Sequence, residues 1–553
     1  MERSRDEWVL GIGIAIAVLW LLVTVALPLA SLLIKSFLNA NGGFVGLANY
    51  ARYFETPSLV QSLLNSLAVG GLTTLIIIPL AFAYAYALTR TMLPLKPAFM
   101  ALALLPLFTP SLLSAISFIY IFGNQGFLKS WLFGHSVYGP IGIVLSQIFY
   151  CFPHAFLILS TALGLADQRL YDAANALGTS RWRTFFAVTL PGAKYGLVSA
   201  SFVVFTLVIT DFGIPKVIGG QFSVLAIDAY KQVVGQQNFE MGAVVGFILL
   251  IPAILAFATE RFIQRRQVAL LSVRAMPLVV ATNATADTIA LLYCSIVGLA
   301  LIGVLGVAVW ASFVTYWPYN LTLSLKNYAF AEFDVGGWTP YWNSLSMASL
   351  SALLGTVVIF LGAYFMDKGR SFTLGRGLIQ FLAMLPMAVP GLVLGLAYVF
   401  FFNARSNPIN WLYGTLLILS INCIAHFYTV AHITALTALK QIDPEFESVS
   451  QSLKVPFYQM MMRVTVPICA PAILDIAIYL FVNALTTVSA VIFLYGANTK
   501  LAAISIVHMD EAGATAAAAA MATVVFVTAL GLKVVHVMVA DVAFRRLQAW
   551  RKR

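Results

Sequence analysis

The chain has 553 residues, 61% of them hydrophobic and only 10% charged. Soluble domains carry about a quarter of their residues charged, so a water-soluble globular protein is excluded and lipid is the solvent. The net charge of +11 does not point to nucleic acid: the basic residues sit in short loops between apolar runs, where they set membrane orientation.

A membrane-spanning helix needs about 20 apolar residues. The first run, near 9–35, follows Arg3 and Arg5. It is too long for a secretory signal, whose apolar core is roughly 7–15 residues, and reads as a retained span. Five more runs lie near 61–88, 97–121, 140–165, 195–213 and 241–259. A second set of six lies near 286–315, 343–365, 378–402, 411–437, 470–494 and 513–536. The expected fold is therefore all-α and integral to the membrane, with about 12 transmembrane helices.

With the N-terminus inside, most basic residues fall on one side. Arg90 and Lys96 follow the second run; Arg169, Arg181, Arg183 and Lys194 follow the fourth. Arg261, Arg265, Arg266 and Arg274 lie in the centre, and Lys368, Arg370, Arg376, Lys440, Lys454 and Arg463 in the second half. The tail adds Arg545, Arg546, Arg551, Lys552 and Arg553. This bias predicts that both termini are cytoplasmic. Cys151, Cys294, Cys423 and Cys469 lie in or beside apolar runs without metal spacing and read as small buried residues. His154, His426 and His432 form no ligand set, and no metal site is expected.

The two sets of runs repeat. Asn49-Tyr50 and Asn65-Ser66 recur as Asn327-Tyr328 and Asn343-Ser344, 278 residues later. Leu105-Pro106 with Pro110 recurs as Leu385-Pro386 with Pro390, 280 later, and Thr189-Leu190-Pro191 as Thr465-Val466-Pro467, 276 later. Six spans per copy make the repeats parallel, with the interface between them the natural place for a path. The units are read as residues 1–261, a cytoplasmic linker 262–285, and residues 286–553.

Between the fourth and fifth runs the chain reads Leu170-Tyr171-Asp172-Ala173-Ala174-Asn175-Ala176-Leu177-Gly178, then nine residues, then Val188-Thr189-Leu190-Pro191. Alanines favour a helix and keep its surface low. Asp172 is read early in that helix, where a negative charge suits the dipole, and Gly178 can turn the chain with positive φ. The pattern resembles the EAA loop of binding-protein-dependent ABC importer permeases, with Asp172 in place of the usual Glu. The resemblance implies two parallel six-helix repeats of the type I importer permease fold in the bacterial inner membrane. It also implies that Asp172, Ala173, Ala174, Gly178, Leu190 and Pro191 form a coupling loop docked in a partner ATPase.

The second copy departs from the pattern. Ser448-Val449-Ser450 stands where Asp172-Ala173-Ala174 would, Lys454 replaces Gly178, and Glu447 lies just before, with Pro467 closing the loop. Equal grip by the two loops is thereby put in question. No Gly-x-x-x-x-Gly-Lys-Ser/Thr phosphate loop occurs. The chain is thus expected to be no enzyme and to bind no cofactor. ATP and Mg would be used by an ATPase dimer, and a periplasmic protein would deliver solute. A gradient-driven secondary transporter shares twelve spans and parallel halves, but has no use for such a loop.

Polar groups inside spans are costly. Gln147, Thr210, Asp211, Asn422, Asn483, Thr486 and Thr487 are candidates to line a path, against the plainer role of hydrogen bonding between helices. The run from Asp211 to Glu240, together with two fused permease domains, resembles permeases for 2-aminoethylphosphonate and, as the alternative, for ferric iron. The phosphonate is the expected solute.

Overall fold

The computed structural model describes residues 5–270, 276, 278–280, 282–369, 371–453 and 455–547. Among the described residues nine helices are long and apolar enough to cross a membrane, or 12 if each of three bent pairs is one span. In the first repeat, span one is Asp6–Ser36, span two Pro57–Arg90, span four Pro140–Gly164, span five Arg181–Thr210 and span six Phe239–Thr259. In the second, span seven is Ala284–Phe313, span eight Thr339–Lys368, span eleven Phe457–Thr486 and span twelve Thr515–Ala540. All four cysteines are buried and unpaired.

Spans three, nine and ten, expected over 97–121, 378–402 and 411–437, are bent. Lys96–Phe108 meets Ser111–Phe122 at 101°, Thr373–Ala388 meets Gly391–Phe402 at 115°, and Leu416–His426 meets Tyr428–Lys440 at 59°. The first two bends have a local cause. A residue before proline is driven out of the helical region; Thr109 before Pro110 has φ −100 and ψ 140, and Val389 before Pro390 has φ −111 and ψ 117. The third bend, at Phe427, has no proline.

Spans five and eleven begin earlier than 195 and 470, and span eleven ends at Thr486 instead of near 494. Pro191 and Pro467 stand inside these helices. Each follows a five-residue π turn, Phe185–Thr189 and Met461–Thr465. Proline cannot donate to the carbonyl four residues back, and widening the preceding turn accommodates that loss.

The recurring dipeptides are hydrogen-bonding keys. Asn49 Nδ2 donates to the carbonyls of Ser36 and Leu38, and Asn327 Nδ2 to those of Ser312 and Val314. Ser66 Oγ accepts from Leu225 N and Ser344 Oγ from Ala502 N, both at 2.8 Å. Each buried side chain satisfies backbone groups that a chain turn leaves open, which fixes the same turn in both repeats.

The first helix of each repeat packs on the other repeat. Span one lies against spans eight and nine, and Tyr398 OH donates to the Thr24 carbonyl at 2.7 Å. Span seven lies against spans two and three, and Tyr293 OH donates to the Leu80 carbonyl at 2.7 Å.

Candidate functional site

The first loop is a helix, Gln168–Ala176, followed by a turn into span five. Its N-cap is Asp167, whose carboxylate accepts from Arg169 N. The Arg169 guanidinium, at 2.6 Å, holds the Asp167 carboxyl down to about 2, so this end stays anionic. Asp167 therefore occupies the place expected of Asp172. Asp172 stands mid-helix and exposed, accepting from Gln168 Nε2 at 2.7 Å. Ala173 is exposed and Ala174 buried. Gly178 has φ +65, and a Cβ there would meet nothing within 4 Å. The position needs glycine for its backbone, not for space. Leu190 and Pro191 open the straight part of span five.

A side chain at Gly178 would cost about 1–2 kcal/mol in the left-handed region and displace the loop tip. Gly178→Glu is expected to lower uptake about tenfold while the protein still reaches the membrane. Unchanged uptake would remove the tip from the function.

The second loop keeps the backbone of the first. Its helix is Glu445–Ser452. Leu453 N donates to Val449 O as Leu177 N does to Ala173 O, and Val455 N to Ser450 O as Thr179 N does to Ala174 O. Ser448 is exposed and Glu447 half-buried. Pro467 is at the start of the straight part of span eleven. Lys454 lies outside the described residues.

The two loops share a feature the motif comparison does not contain. Leu170, Leu177, Trp182 and Phe186 are exposed apolar residues of the first loop. Phe446, Leu453, Tyr458 and Met462 are exposed in the second, each 276 positions later. Leu177 is 81% exposed and Leu453 70%. The signal was in the register, once exposure is known. Matched apolar patches on two loops suit one partner taken twice.

The surroundings of the loops differ. Two described linker residues touch the first: Gln168 N donates to Met276 O at 3.0 Å and Val279 N to Gln168 Oε1 at 2.9 Å. The second is reached by the start of span one, where Asp6 Oδ2 accepts from Phe457 N at 3.3 Å. Spans four and five pack so closely that Ala162 leaves no room for a Cβ on Gly196. Their counterparts Ala438 and Ala472 instead line a groove of about 1240 Å³ beside the second loop.

The path candidates gather at the chain break that ends spans five and eleven. Asp211 Oδ2 accepts from Gln147 Nε2 at 2.9 Å and from Ile214 N at 3.0 Å. In the second repeat Asn422 Nδ2 donates to Ala490 O at 2.7 Å. Gln147 and Asn422, 275 positions apart, are both fully buried. Thr210 and Thr486 hydroxyls donate to the carbonyls of Thr206 and Val482 four residues back. Asn483 Nδ2 donates to the Tyr479 carbonyl, and Thr487 N to the Asn483 carbonyl. Among the described residues no hydrogen bond joins one set to the other. Gln147 with Asp211 in the first repeat and Asn422 in the second bond at the break, whereas the Thr210, Thr486 and Asn483 side chains bond within their own helices. A polar link between repeats at the opposite end from the loops is not apparent from the sequence: Lys216 pairs with Glu511, and its ammonium lies 4.8 Å from the Tyr230 ring.

Comparison with known proteins matches this chain to the family model described as binding-protein-dependent transport system inner membrane component, over residues 77–268 and 369–541. It is 30% identical over 473 residues to the putative ferric transport system permease protein FbpB 1 of Haemophilus influenzae, covering 81% of this chain and 72% of that protein. It is 28% identical over 546 residues to the ferric transport system permease protein FbpB of Actinobacillus pleuropneumoniae, covering 95% of this chain and 77% of that one. It is 25% identical over 265 residues to the spermidine/putrescine transport system permease protein PotB of Haemophilus influenzae, covering 45% of this chain and 92% of the relative.

Proposed function

The chain belongs to the binding-protein-dependent transport system inner membrane components, and on that premise we propose that it carries ferric iron across the membrane. It is a multi-pass permease subunit of an ABC importer and not an enzyme. The family implies an ABC ATPase as motor and a periplasmic binding protein as the source of solute.

The observation behind iron is coverage. The ferric permeases align through both repeats, over 81% and 95% of the chain, whereas the polyamine permease aligns with 45%. This replaces the phosphonate reading, which rested on the run from Asp211 to Glu240. Two polar groups of that run are engaged inside the chain: Asp211 holds the break, and Asn238 Oδ1 accepts from Met241 N. They favour no particular solute.

The repeats act as two units, 1–261 and 286–553, joined by the linker 262–285. Each offers one loop to one ATPase of a pair, and both termini lie on that side. Closure of the ATPases moves the loops and switches the repeats between inward-open and outward-open states. The matched apolar patches support two docking sites, and the Lys216–Glu511 pair supports a closure at the far end. The test is uptake of radioactive ferric iron into cells that make the chain with its ATPase and binding protein. ATP-dependent iron uptake that excess 2-aminoethylphosphonate leaves unchanged is expected. Phosphonate uptake without iron uptake would sink the proposal.

A further inference from the structure

We propose that each docking loop drives the membrane helices through a cation at the end of its repeat's second helix, and that the two repeats use different chemistry for this tie. The inference rests on the docking reading above.

In the first repeat the cation is Arg90, the last residue of span two. Its Nη2 donates to the Leu163 carbonyl at the end of span four, at 2.8 Å. Its guanidinium lies 5.5 Å from the ring centroid of Tyr171, in the middle of the loop helix. The Tyr171 hydroxyl shares a 2.9 Å hydrogen bond with Thr189, in the π turn of span five. One arginine and one tyrosine thus join span two, span four, the loop helix and span five.

The same positions in the second repeat are 278 and 276 residues on: Lys368 for Arg90, and Glu447 for Tyr171. The aromatic contact becomes an ion pair. Lys368 Nζ pairs with Glu447 and, at 2.9 Å, with Asp367. The side chains of the Lys368–Glu447 pair are 13% and 20% exposed, so water competes weakly for them. Thr465 stands where Thr189 does, and its hydroxyl has no hydrogen-bond partner in the structure. The second tie therefore joins the loop to span eight and leaves out the turn of span eleven.

Both elements change together between repeats. A tyrosine beside a lysine in that place, or a glutamate beside an arginine, would mix the two solutions. Arginine suits a ring face, being planar and weakly hydrated; lysine suits a carboxylate as a compact charge. Matched replacement at two distant positions keeps a contact while its chemistry changes. The contact lies where the loop helix meets the membrane helices, and packed side chains and ion pairs of this kind carry coupling between elements. Arg90, Tyr171, Lys368 and Glu447 are positioning residues: they touch no solute and act through the loops.

The experiment uses the full complex of chain, ATPase and binding protein in proteoliposomes, and reads iron transported per ATP hydrolysed. Lys368→Met and Glu447→Gln are each expected to lower that ratio about fivefold or more, with the ATPase still co-purifying. The double variant Lys368→Arg with Glu447→Tyr imports the first repeat's chemistry and is expected to recover the ratio to within about twofold of wild type. Singles that leave the ratio unchanged would overturn the tie, as would a double variant no better than the singles. A wild-type complex in which the ATPase does not bind the chain would instead overturn the docking reading.

Discussion

Aspartate at both Leu177 and Leu453 is expected to abolish uptake and to release the ATPase from the membrane. Each leucine is a large apolar side chain held in the open, 81% and 70% exposed. Burying such a side chain at an interface is worth about 2 kcal/mol. An unpaired carboxylate in the same place adds several kcal/mol of desolvation. The loss per loop is then about 3–5 kcal/mol, or about two to four decades in affinity. Because two loops bind one dimer, the second contact is made at high effective concentration, so either single variant is expected to keep part of the assembly. The variants sit on the surface and should not disturb the fold. Co-purification of the ATPase with the chain checks this. If Leu453→Asp alone changes nothing, the second loop does not dock.

That result bears on how much of the site could be read without coordinates. The spans were legible because lipid fixes the length of an apolar run. The repeat was legible because Asn49, Ser66 and their counterparts answer the same open backbone groups at a nearly constant offset. The second loop is less legible. Ser448-Val449-Ser450 was weighed against Asp172-Ala173-Ala174, whereas the recurring property is exposure of Leu170, Leu177, Trp182 and Phe186 and their partners. An apolar residue beside a membrane span looks like part of that span until its surroundings are known. The bends were half legible. Pro110 and Pro390 marked the repeat, but the extended residue before each proline shows its effect only as a turn of 101° or 115°. The polar residues of spans four, five, ten and eleven stand out in the sequence as exceptions within apolar runs. Their partners, such as Ile214 N for Asp211, depend on a chain break that periodicity does not announce.

Asp211 carries the second large expectation. Its carboxylate satisfies Gln147 Nε2 and Ile214 N. Asp211→Ala leaves both without an acceptor, at about 1–3 kcal/mol each, and is expected to cut uptake at least about tenfold and to alter ATPase stimulation by the binding protein. Asp211→Asn keeps one acceptor oxygen and a good capping side chain. If the residue only holds the break, the asparagine variant is expected to transport within about threefold of wild type. If its negative charge meets the iron in passage, asparagine should be as damaging as alanine. Measuring uptake for both variants separates these roles, and wild-type behaviour in Asp211→Ala would leave the residue with neither.

The exchange of first helices between repeats has a consequence in time. Thr24 meets Tyr398 across 374 positions of chain. At about 5–20 residues per second of synthesis, span one waits about 20–75 seconds in the bilayer before this neighbour exists. Nothing that follows it directly can cover the face it keeps for that neighbour. Lipid must do so in the interval, which asks that span one be the most apolar of the spans, as it is. The face that span seven turns to the first repeat waits for nothing, since spans two and three are already in place when it emerges.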